Sequence, residues 1–217
     1  MRSCCRATPC EELFNAKFAR KTLKRYRKKG LNAFERRMLR VVASERLTDA
    51  RILEIGGGIG AIQAELLAMG AKEGEVVELV SAYEPYAREL AREKGIESRT
   101  RFRVADVIAQ PDAIAPATIV VLNRVVCCSP DGVRLTGLAA RLADRLLVLS
   151  FPRDRPLARV MVTAINGVQR ILGRSFRAFI HPRASLHAAA EREGLRLIAS
   201  GRNVVWEFMA LARRPAA

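Results

Sequence analysis

Residues 51–67, RILEIGGGIGAIQAELL, pass from an apolar strand-like run through Gly56, Gly57, Gly58 and Gly60 into a helical pattern. Glycines after a strand let bare main chain approach a ligand, and the helix that follows offers it unpaired N–H groups. The spacing obeys two grammars. Gly56-x-Gly58-x-x-Ala61 fits the fingerprint G-x-G-x-x-[GA], while Glu54-x-Gly56-x-Gly58-x-Gly60 fits an acid-led glycine loop. Carboxylates recur at the ends of later strand patterns. Glu78, in VVELVSAY, lies 18 residues beyond Gly60, and Asp106 closes RFRVAD. A carboxylate there can accept two hydrogen bonds at once. Glu84 competes with Glu78 for that role, but Ser81-x-x-Glu84 reads as a capping box. The apolar run of residues 118–122 delivers Asn123 and Arg124, with Cys127 and Cys128 just beyond.

Hydrophobic periodicity supplies the frame for these residues. Residues 15–29 read as a basic amphipathic helix with Ala16, Ala19, Leu23 and Tyr26 on one face, ended by Gly30. Asn32-x-x-Glu35 opens a second helix through about Arg46. Strands are expected over residues 51–55, 75–79, 101–105, 118–122 and 146–151, and helices over 61–69, 81–94 and 131–144. This alternation predicts a parallel, doubly wound sheet. The last two strand patterns, 195–199 and 204–212, are joined by only Ser200-Gly201-Arg202-Asn203, too short for a crossover, so they must pair antiparallel. The expected fold is α/β: a seven-stranded Rossmann-like doubly wound sheet, mostly parallel with an antiparallel C-terminal hairpin strand, plus N-terminal helices. Residues 1–48 form a basic helical extension or cap, and residues 49–217 form the main domain with a helical insertion at about 153–183.

The 217 residues are 50% hydrophobic, enough for a sizeable core, and no apolar run reaches membrane-spanning length. Without an apolar leader pattern the chain reads as cytoplasmic. Its net charge of +16 is concentrated: Lys17–Arg40 holds eleven basic residues against Glu35 alone. That patch suits phosphate, anionic lipid or an acidic substrate, and equally a solvated helix face. The cysteines, Cys4-Cys5-x4-Cys10 and Cys127-Cys128, lack zinc-ribbon spacing, and no metal site is assigned. They read as reduced thiols and small apolar filler; the alternative is a soft metal or metalloid acceptor.

The acid-led loop, the two acids at successive strand ends and the terminal hairpin together resemble class I S-adenosylmethionine-dependent methyltransferases, from about Arg51 to the C-terminus. The resemblance implies S-adenosyl-L-methionine as cofactor. It sets Glu54, Gly56, Gly57, Gly58 and Gly60 around the methionine end, Glu78 with Leu79 at the ribose, and Asp106 with Val107 at the adenine. Asn123 falls beneath the methyl donor, where many members carry Asp. The stretch NRVVCCSPD is similar to DRVVCCYPD of bacterial methyltransferase-domain proteins. Followed by SFPRD and FIHP, it is distantly similar to magnesium-protoporphyrin O-methyltransferases. Ser129 replaces the aromatic of that pattern, so the acceptor does not carry over.

Displacement from a sulfonium needs alignment and dryness more than acid–base groups, so no spacing marks catalytic residues. Asn123, Arg124 and His181 are the catalytic candidates, and Tyr26, Arg124, Cys127, Cys128, Arg153 and His181 the acceptor-facing ones, with Arg155 and Arg183 nearby. Leu157, Val160, Met161, Ile165, Val168, Ile171 and Leu172 recur at helical spacing. The expectation is an ordinary helix packed on the core; the alternative is a lid or membrane-surface helix. The leading functional reading is methyl transfer to a small-molecule acceptor, on oxygen. Its alternatives are an RNA methyltransferase holding phosphates on the Lys17–Arg40 patch, an NAD(P)-dependent oxidoreductase, and a cofactor-binding scaffold without chemistry. Against RNA, residues 123–126 do not match the N-P-P-Y/F/W-type loop of base-amino methylases.

Overall fold

A computed structural model of the protein describes residues 7–213; Cys4 and Cys5 lie outside them. Three helices, α1 (Ala7–Leu13), α2 (Ala16–Lys29) and α3 (Ala33–Ala43), precede the sheet. The chain then alternates through β1 (Arg51–Ile55), α4 (Ala61–Ala68), β2 (Glu73–Glu78), α5 (Glu84–Glu93), β3 (Thr100–Val104), β4 (Ala117–Asn123), α6 (Gly132–Leu142) and β5 (Ala143–Pro152). It closes with α7 (Pro156–Ile171), α8 (Arg183–Arg192), β6 (Leu195–Arg202) and β7 (Trp206–Arg213). The seven strands lie in the order β3-β2-β1-β4-β5-β7-β6; the first five are parallel, and β7 runs antiparallel between β5 and β6.

The central strands read as unbroken apolar runs because both sheet faces are covered. On β4, Ile119 and Val121 join the core shared with α2, α3, α4 and α5, while Val120 and Leu122 join that shared with α6 and α8. Leu146 and Val148 of β5 divide from Leu147 and Leu149 in the same way. The sheet order reverses between β1 and β4, so a crevice opens at their carboxyl ends.

The N-terminal helices follow their signals. Asn15 caps α2 by accepting from the Phe18 N–H, and Gly30 ends it in left-handed backbone. Asn32 and Glu35 form the expected capping box of α3. Some readings change. Ala16 is exposed, and α3 stops at Ala43 rather than near Arg46. Ser81 does not cap α5: residues 81–83 make a 3-10 turn, and Glu84 instead pairs with Arg88 one turn on. Strand β6 extends to Arg202, and Val204 lies in the turn because the Asn203 side chain accepts from the Val205 and Trp206 N–H groups.

The expectation that the apolar stripe of residues 157–172 packs on the core is corrected. Val160 is 67% and Ile171 86% exposed, and Leu157, Val168 and Leu172 are exposed too. Helix α7 instead seats a small and amide-bearing face: Ala158 and Gln169 are buried, and Asn166 both donates to and accepts from the Ala178 backbone. Those two amide bonds fix the rotation of the helix and turn its aliphatic side outward.

Candidate functional site

The glycine loop is shaped by backbone conformation first. Gly56 (φ +64°) and Gly58 (φ +57°) occupy the left-handed region that costs any other L-residue. A Cβ on Gly56 would lie 2.7 Å from the Val125 side chain, and one on Gly57 would lie 2.7 Å from the Glu54 carboxyl carbon. Gly60, at the N-cap of α4, has no side chain with which to cap the helix. Glu54 does this from β1, its Oε2 accepting from the Gln63 N–H at 3.0 Å. Burial is the main reason its pKa is pushed up to about 8, with smaller contributions from the charges of Glu78 and Glu35, while the Gln63 bond opposes them. Glu54 is therefore largely protonated at neutral pH.

Glu78 ends β2 and ties it to the loop. Its Oε2 accepts from the Gly58 N–H at 2.9 Å, and its Oε1 from Leu79 and Val80 at 2.8 and 3.2 Å. Burial raises its pKa, and the three N–H groups oppose the rise. Asp106, after β3, uses Oδ1 to accept from Ile108 and Ala109. Tyr83 packs beside Gly58, its pKa raised mainly by burial and then by Glu78.

The end of β4 is the most constrained point. Asn123 Oδ1 accepts from the Ser150 hydroxyl at 2.7 Å, and Ser150 Oγ in turn accepts from the Arg124 N–H at 2.9 Å. Arg124 sits at φ +62°, unusual for a side-chain-bearing residue and a mark of functional sites. Its guanidinium lies 4.9 Å from the Trp206 ring centroid and 3.5 Å from Glu35, while its buried Nε has no hydrogen-bond partner among the described residues. Glu35 Oε1 also accepts from Asn123 Nδ2 at 3.3 Å, and its Oε2 from the Asn32 N–H. The first turn of α3 is thus fastened to the end of β4.

Glu54, Glu78, Asp106, Tyr83, Asn123, Arg124 and Glu35 line one cavity of about 550 Å³, a volume typical of small-molecule sites. Of the sequence candidates, the cavity gathers Glu54, Gly56, Gly57, Gly58, Glu78, Leu79, Asp106, Val107, Asn123, Arg124, Tyr26 and Cys128. Tyr26 donates to Glu65 on α4, and burial then that bond raise its pKa. Gly60, Cys127, Arg153 and His181 lie outside the lining. His181 is buried with Nε2 2.9 Å from the Ser129 carbonyl, and its ring fills the space left bare by Gly132. Arg153 bonds the Asn203 carbonyl, and Arg183 pairs with Glu207. Among the described residues no group of three metal-ligating side chains converges.

The sequence predicts a cap that includes Tyr26, but not the other roof residues. Phe14 from the α1–α2 junction and Phe18, Lys21, Thr22 and Arg25 from α2 line the cavity, as does Glu35. The signal for Glu35 was present: it is the sole acid in the Lys17–Arg40 stretch. A second cavity, about 450 Å³, lies along α4, α5 and β3 beside Thr100 and Arg103 and reaches the end of the glycine loop at Ile59 and Gly60.

No family model matches the sequence, and no curated relative does. Solved structures do share the fold. Magnesium protoporphyrin IX methyltransferase from Synechocystis, crystallised with S-adenosylhomocysteine, superposes with a TM-score of 0.73 at 18% identity, over 94% of this chain and 97% of that one. An O-methyltransferase family protein from Burkholderia thailandensis gives 0.70 at 15% identity, over 98% of this chain and 64% of that one. Geranyl diphosphate C-methyltransferase from Streptomyces coelicolor gives 0.66 at 15% identity, over 92% and 84%. The fold is that of class I methyltransferases, seven strands with the reversed C-terminal pair included.

Proposed function

We propose that the protein is an S-adenosylmethionine-dependent methyltransferase that modifies a small-molecule acceptor carrying an anionic group, with oxygen as the methylated atom. The observation that carries this reading is the closed circuit Glu54–glycine loop–Glu78 at the carboxyl ends of β1 and β2. One acid caps α4, and the other lines the cavity and holds Gly58 through Oε2, which accepts that single bond and so retains acceptor capacity.

S-adenosylmethionine supplies an electrophilic methyl group on a sulfonium centre. The residues present fit it, because Gly56, Gly57 and Gly58 bring side-chain-free backbone to the cavity lining beside the carboxylates of Glu78 and Asp106. Glu78 holds the ribose hydroxyls, Asp106 faces the adenine amino group, and the Gly56–Gly58 backbone with Glu54 receives the methionine end. Asn123 and Arg124 form the floor beneath the acceptor. Phe14, Phe18 and Tyr26 roof it and exclude water, and Lys21 and Arg25 set positive charge in its wall. That charge argues for a carboxylate or phosphate on the acceptor.

The test has two stages. Isothermal titration with S-adenosylhomocysteine should give saturable binding that Gly58→Val and Glu78→Ala each abolish in folded protein. Binding of NADH but not S-adenosylhomocysteine overturns the cofactor assignment. Incubation with labelled methyl donor and fractionated cell extract should then place label in small molecules; label confined to RNA moves the acceptor to nucleic acid and the α2 cations to phosphate binding.

A further inference from the structure

Helix α7 has three distinct sides. Ala158, Asn166 and Gln169 hold it to the body. Leu157, Val160, Ala164, Val168 and Ile171, spaced by three or four residues, form an outward aliphatic stripe. Val160 and Ile171 are 67% and 86% exposed. Arg159 and Arg170 edge that stripe, with Arg155 and Arg174 at the two ends of the helix. The one acid among these, Asp154, is paired with Arg159. Isolated exposed aliphatics need no explanation, but a continuous row on one helix marks an interaction surface.

We infer that α7 is an interfacial helix that seats the protein on an anionic lipid bilayer. Aliphatic side chains between arginines match the two layers of such a surface, acyl chains below and anionic headgroups around. A second copy of the chain fits the stripe poorly, since self-association would bring the same arginines against one another in a protein of net charge +16. The seat lies close to the cavity. Ser175, after α7, donates to Glu12, and Phe176 packs edge-on against Phe14, which packs on Phe18. Phe14 and Phe18 line the cavity, so a bilayer under α7 would lie next to its roof. The inference rests on the surface of α7 alone and stands apart from the methyl-transfer reading.

Co-sedimentation with large vesicles tests it. The full chain should sediment with phosphatidylcholine vesicles containing roughly 30% phosphatidylglycerol and not with pure phosphatidylcholine. Val160→Glu together with Ile171→Glu should lower the partition coefficient about tenfold or more. Val204→Glu, in the exposed β6–β7 turn, should leave it unchanged. Both changes lie on exposed positions, so circular dichroism and S-adenosylhomocysteine affinity should be those of the parent. Arg159→Gln with Arg170→Gln should weaken binding to anionic vesicles specifically. The inference is overturned if the parent ignores anionic vesicles, or if the α7 glutamates do not weaken binding, which would assign it to the α2 cations. A dimer in sedimentation velocity that the same glutamates dissociate also overturns it, by giving the stripe to a second copy.

Discussion

Glu54 shows how one carboxyl can serve two neighbours. It caps a helix whose own N-cap is glycine, and it crowds the space above Gly57 so that only hydrogen fits there. Its burial has a measurable consequence. The unfolded chain releases this proton near 4.5, whereas the folded protein keeps it until about 8. Between those values the native state binds more protons than the unfolded state, so stability falls as pH rises, by at most about 1.4 kcal/mol per unit. Below 4.5 and above 8 the Glu54 contribution is flat. Glu54→Gln keeps an acceptor for Gln63 and removes the titration. The difference in urea midpoint between variant and parent should therefore grow in favour of Gln from pH 5 to 8; a pH-independent difference would mean that Glu54 ionises normally. Gly56 allows a second test. Gly56→Ala meets both a left-handed φ and Val125, and should cost roughly 2–4 kcal/mol. Adding Val125→Ala relieves only the overlap, so the double variant should be more stable than the two single losses added together.

These residues could be read in the sequence because strand spacing alone brings Glu54, Glu78, Asp106 and Asn123 to one edge of a parallel sheet. Glu35 could not be placed that way. Its capping box is local and was legible, but its second oxygen meets Asn123 and Arg124, 88 and 89 positions along the chain. His181 misled for the opposite reason: an imidazole among arginines suggests chemistry, yet its bond to Ser129 holds a loop.

At the scale of elements, α2 is the informative case. Asn15 and Gly30 mark its ends, and the 3.6-residue period gives its buried face of Ala19, Leu23 and Tyr26. Helix α7 has as clear a period, and there the inference failed. Periodicity says which residues share a face but not what that face meets, and on α7 the amide side chains of Asn166 and Gln169 took the inner side. Helix α2 also carries a charge arrangement that stability alone would not favour. Its sequence AKFARKTLKRYRKK has no acid, its first turn lacks one in particular, and among its described cations only Arg27 forms ion pairs, with Glu89 and Glu93. Like charges repel at the 17–21, 20–24 and 24–28 spacings, and Lys17 opposes the helix dipole. Lys17→Glu reverses both effects at an exposed position. It should raise stability by about 0.5–1 kcal/mol in chemical denaturation. Loss of stability would mean that Lys17 has a partner the surface charges conceal.

At the scale of the molecule, topology was legible because connection length decides it: helical crossovers force parallel pairing and a short turn forces an antiparallel pair. A cap from the N-terminal helices was expected, but not the contacts that seat it, since nothing local says which groups a basic amphipathic helix will meet. It docks over the strand ends through Tyr26 on Glu65, Arg27 on Glu89 and Glu93, Phe34 on Phe208, and Glu35 on Arg124. These contacts join the cap to α4, α5, β7 and the end of β4, and the cavity between them is walled by both parts. The cap and the sheet should therefore unfold together, although the sequence alone divides them at residue 48. A ligand bound between them stabilises the pair as one unit. S-adenosylhomocysteine at a hundred times its Kd adds about 2.7 kcal/mol, which for a chain of this size raises Tm by roughly 5–10 °C. Differential scanning calorimetry should show a single transition that moves as a whole by that amount, and no movement in the Glu78→Ala variant. Two transitions, with only the upper one responding to ligand, would make residues 7–43 an independent appendage and remove the roof from the site.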